Sequence, residues 1–71
     1  SYQERHAEII MDYHREVYPI YLSFFRNVGN PSTGESKYEF NHTRYDDFRS
    51  RIALPLGIAT ERIRALKQEL S

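Results

Sequence analysis

Ile52-Ala53-Leu54-Pro55-Leu56-Gly57-Ile58-Ala59-Thr60-Glu61-Arg62-Ile63-Arg64-Ala65-Leu66 is the stretch whose reading decides the fold. Apolar residues recur through it at helical spacing, yet Pro55 and Gly57 flank Leu56 in its first half. A helix interior disfavours Gly by about 1 kcal/mol and Pro by roughly 3 kcal/mol relative to Ala. The local cost predicts a break: either a kink or a turn between two helices. As a turn, the stretch fits the helix-turn-helix pattern over residues 49–68. Ala53 permits a close helix crossing, Leu56-Gly57-Ile58 forms the turn, and Ile63 and Leu66 anchor a second helix. Thr60 then suits that helix's start.

The string PLGIATERIRAL resembles the turn of bacterial repressor and antitoxin helix-turn-helix families. That resemblance implies a helix entering the DNA major groove with Thr60, Glu61 and Arg64 toward the bases, and with Arg62 and Lys67 nearer phosphate.

Outward from this stretch, Tyr45, Phe48, Ile52 and Leu56 form one apolar face, continued by Ala59, Ile63, Leu66 and Leu70 at three- and four-residue steps. Upstream, Ile9, Tyr13, Val17, Ile20 and Phe24 recur at steps of four, four, three and four. This spacing predicts a helix over 3–28, kinked near Pro19, where one backbone donor is missing. Gly29-Asn30-Pro31-Ser32-Thr33-Gly34-Glu35-Ser36 is rich in turn residues, so 29–37 reads as a loop. No segment alternates well enough to predict a strand. The expected fold is all-α, a single domain built as a three-helix bundle or kinked helical hairpin. Its later helices span 43–55 and 59–70 and meet at a helix-turn-helix-like junction at Pro55-Leu56-Gly57.

Composition narrows the function. The chain has 71 residues and no cysteine, so neither disulfides nor thiolate metal sites staple it. Ten basic and ten acidic side chains cancel, which removes a global field for nucleic acid. No apolar run is long enough to span a bilayer and no signal peptide is evident, so an intracellular, cytoplasmic location is expected. There is no Gly-rich phosphate loop and no paired set of metal ligands. Hence no enzyme, cofactor, metal or small-molecule ligand is expected.

Two functional readings follow. The first is a non-catalytic regulatory module that binds a protein partner, or a second copy of itself, through charged and aromatic helix faces. Its candidate interface joins the i, i+4 acidic row Glu4, Glu8, Asp12 and Glu16 with Tyr18, Tyr21 and Phe25, since aromatic side chains are favoured at interface cores. The alternative is binding of double-stranded DNA through Thr60, Glu61, Arg62, Arg64 and Lys67.

Overall fold

A computed structural model describes residues 1–70. Helix α1 (Tyr2–Ser23) leads into strand β1 (Phe25–Asn27). A 3-10 turn at Pro31–Thr33 connects β1 to strand β2 (Tyr38–Phe40), and a second at His42–Arg44 leads into helix α2 (Tyr45–Glu69). The two helices lie side by side and antiparallel, and the two strands form a small antiparallel sheet at the turn, with Phe25 opposite Phe40 and Asn27 opposite Tyr38.

This corrects the expected fold. The chain is neither a three-helix bundle nor a kinked all-α hairpin. It holds two long helices and a two-stranded sheet, and α2 runs unbroken through Pro55-Leu56-Gly57. Packing along a 25-residue helix outweighs two unfavourable residues, because most helical stability in proteins comes from tertiary contact rather than propensity. Proline costs one donor there, and Gly57 keeps a helical backbone. Helix α1 likewise continues past Pro19, but it stops at Ser23 instead of reaching 28. Residues 25–27 and 38–40 pair as strands too short to show alternation.

The loop builds its own turn. Asn27 Oδ1 accepts from the Gly29 and Lys37 amides at 2.9 and 3.2 Å. Asn30 Oδ1 accepts from Ser32 N at 2.9 Å, and Gly34 adopts φ 73°. These bonds satisfy backbone groups that a three-residue strand pair leaves unpaired.

The core runs the length of the hairpin. Near the chain ends, Ile9, Ala59 and Leu66 are buried, with Tyr2, Tyr13 and Ile63 packed against them. At the sheet end, the ring of Phe24, 2 % exposed, lies among Phe40 and Phe48, at 6.3 and 5.6 Å between centroids. The Arg44 guanidinium caps Phe24 at 4.4 Å, a cation–π contact. On α2 the inward positions Phe48, Ile52, Pro55, Ala59, Ile63 and Leu66 recur at steps of three and four, the spacing of one helix face packed against a neighbour.

The result is long and thin. Its extents are 59 × 23 × 14 Å and its radius of gyration is 17.1 Å, against about 11 Å for a globular domain of this length. Among the described residues, no helix is long and apolar enough to cross a membrane.

Candidate interaction surface

Two helices side by side have two broad faces, and here the two differ. One carries the ion pairs that tie α1 to α2: Arg5 to Glu69 at 2.8 Å and Arg62 to Asp12 at 2.9 Å. The Glu69 carboxyl is held below its ordinary range by the hydrogen bond and charge of Arg5, and the Arg5 guanidinium is raised in return. On this face Glu16 lines a groove with Asp12, Leu54, Ile58 and Arg62, and Glu8 lines a second beside Arg5 and Glu69.

The opposite face is apolar. At about 100° per residue, Ile10, Val17 and Tyr21 fall roughly 120–180° round α1 from Arg5 and Asp12. By the same geometry Leu56 and Ile63 fall roughly 100–140° round α2 from Arg62 and Glu69. All five are only partly covered, with Ile10, Tyr21 and Leu56 exposed by 42 %, 38 % and 39 %. His14 and Thr60 share the face, and Arg49 and Lys67 lie on it toward its two ends along α2. By this spacing it contains no carboxylate, and neither interhelix ion pair lies on it.

The width of the apolar stripe explains this exposure. Hairpin packing uses the inward stripe, yet Ile10 and Val17 on α1, and Leu56 on α2 with Ile63, which also packs against the core, repeat at seven-residue steps along its edge. A helix facing two neighbours has such a widened stripe, whereas a helix facing one does not need it.

The candidates from the sequence are dispersed. Glu4 belongs to the helix start, where its amide donates to Ser1 Oγ at 3.4 Å. Asp12 is shared between Arg62 and Arg15, the latter at 3.5 Å. Tyr18 stacks on His14 at 5.0 Å and stays 46 % exposed. Tyr21 and Phe25 sit in the aromatic cluster, 4.9 Å apart, and Tyr21 stacks on Phe40 at 5.5 Å. The acidic row and the aromatic residues therefore do not form one surface; only Tyr21 and, at its edge, Tyr18 border the apolar face.

The residues assigned to DNA lie in mid-helix. Thr60 Oγ1 donates to the Leu56 carbonyl at 2.9 Å, Arg64 pairs with Glu61 at 2.8 Å, and Arg62 is bound to Asp12. Lys67 occupies the last turn of α2. Because no turn precedes Thr60, no separate recognition helix begins there.

Sequence reasoning missed Ile10, Leu56 and Ile63 as a surface. The signal was present, since two adjacent seven-residue repeats on each helix exceed what one partner helix covers.

Comparison of the chain with protein-family models, curated proteins and solved structures returned no match. The functional reading rests on the geometry of this surface.

Proposed function

We propose that the chain is a non-catalytic protein-interaction module that docks through the apolar face formed by Ile10, Val17, Tyr21, Leu56 and Ile63. The observation that carries this reading is a half-buried apolar strip running along both helices on the face that lacks the interhelix ion pairs. Domains are built of packed layers around a shared core, and a single layer of two helices is half of such an architecture. The surface area agrees. A compact monomer of 8.5 kDa exposes roughly 4,700 Å², whereas this chain exposes 5623 Å².

The test is site-specific photocrosslinking with benzoylphenylalanine. Placed at position 56, on the apolar face, the probe is expected to give protein adducts in cells. Placed at position 15, away from that face, it is expected to give none. Equal adduct formation at both positions, or none at either, would refute the reading.

A further inference from the structure

We propose that the occupant of the apolar face is a second copy of this chain, so that two hairpins close into an antiparallel four-helix bundle. The inference rests on the interaction surface just described and specifies its partner.

Area is the first argument. The chain exposes about 900 Å² more than a compact monomer of its mass, and a standard interface takes about 800 Å² from each partner. A face-to-face contact with an equal copy would bury surface of this order.

Register is the second. The pairs Arg5–Glu69 and Asp12–Arg62 set residue i of α1 level with residue 74 − i of α2. A two-fold axis parallel to the helices keeps these levels and lays α1 of one copy on α2 of the other. His14 then comes level with Thr60 of the second copy and Tyr21 with Ala53, while Ile10 and Val17 come within one residue of the level of Ile63 and Leu56. Large residues meet small ones where the face is bulkiest, and each contact is matched by its symmetry mate, as a two-fold interface requires. A Cβ at Gly57 would meet nothing within its own chain, so the second copy's α1 finds a shallow notch beside Ala53.

Charge selects among the arrangements. A two-fold axis across the helices would lay α2 on α2, bringing Arg49 of one copy level with the Lys67 region of the other. The parallel axis instead sets Lys67 level with Ala7 and Arg49 just past the end of α1, and neither Arg5 nor Arg15 of α1 lies on that face.

Sedimentation equilibrium on the unmodified chain over micromolar to millimolar concentration is the deciding measurement. The expected mass is twice 8.5 kDa. Val17→Glu and Leu56→Lys, each checked for helix content, should separately weaken pairing by on the order of 100-fold, because each buries a charge at the contact. Mixed in equal amounts, they should restore it. In the mixed dimer the new glutamate meets the new lysine, while the remaining Val17 meets the remaining Leu56.

A folded chain that stays at the single-chain mass throughout overturns the proposal, whatever the variants do. A dimer in which the mixture stays as weak as its components overturns this register. Adducts from position 56 to a different protein, with the chain itself monomeric, would remove the second copy and leave the interaction surface standing. Monomeric behaviour with no adduct would remove both.

Discussion

Gly29→Ala should open the sheet-end turn, and its cost can be worked from the geometry. A Cβ at Gly29 would lie 2.3 Å from the Glu35 carbonyl oxygen and 2.9 Å from Lys37 N. An ordinary carbon–oxygen contact is about 3.3 Å or more, so the opposing arm must move by about 1 Å. That arm is pinned on both sides of the clash. Glu35 N donates to the Asn30 carbonyl at 3.0 Å, Lys37 N to Asn27 Oδ1 at 3.2 Å, and Val28 N to the Lys37 carbonyl at 2.7 Å. Losing two or three such bonds at about 1 kcal/mol each gives a cost of about 2–3 kcal/mol. Gly34 provides the control. It holds φ 73° with open space around it, so Gly34→Ala should cost only about 1–2 kcal/mol of backbone strain. Urea titrations at one fixed protein concentration measure both changes, and amide exchange at Val28 locates them. The expected order is a larger loss for Gly29→Ala, with faster Val28 exchange in that variant alone. A Gly29→Ala protein as stable as the parent, with Val28 still protected, would refute the close approach on which the estimate depends.

Three further outcomes are expected. Pro55→Ala should stabilise the chain by about 1–2 kcal/mol, the roughly 3 kcal/mol proline cost less the packing of a half-buried ring, and thermal melting checks it; a lower melting temperature would refute this. Leu66→Ala, which truncates a side chain 3 % exposed at the core near the chain ends, should cost about 2–5 kcal/mol by urea titration. For pH, the Glu69 carboxyl has its folded value lowered by Arg5, so its stabilising contribution is present above the ordinary glutamate value of about 4.3 and is lost as pH falls through the folded one. Glu69→Gln should therefore lower stability near neutral pH, and the difference should vanish in acid; a difference that persists there would refute the assignment.

How far the fold was legible depended on the range of the forces involved. The inward stripes were readable because burial follows period: Ile9 and Phe24 on the first segment, and Ile52, Ala59 and Leu66 on the second, all belong to the faces that spacing picks out and all are buried. Pro55-Leu56-Gly57 was misread because local propensity counts only the cost at three residues. The helix is held by contacts with α1, separated from it by the whole loop, and no local rule weighs those. The strands were missed for another reason. Three residues provide no period, and what holds Phe25–Asn27 against Tyr38–Phe40 is the side chain of Asn27 together with the ring of Phe40 in the aromatic cluster. The acidic row was real as spacing. It drew attention to the ion-paired face, while the apolar positions one step aside were counted as extra core.

The proposed pairing bears on why Pro55 and Gly57 stand where they do. Eight consecutive residues from Ile52 to Ala59 are apolar or glycine, and a helix apolar all round is characteristic of a buried element. In an isolated hairpin only Ile52, Ala59 and part of Pro55 are covered at this level, and Leu54, Leu56 and Ile58 are left 74 %, 39 % and 53 % exposed. In the proposed pair a second hairpin laid on the apolar face would cover Leu56 and set Tyr21 against Ala53 and Val17 level with Gly57, where a larger residue would hold the helices apart. In that pair the space at the glycine would allow closer contact with the second copy, offsetting its cost of about 1 kcal/mol. Gly57→Ala then separates the two states by sign. In a chain held monomeric by Val17→Glu the change should stabilise α2, and in the paired chain it should weaken association.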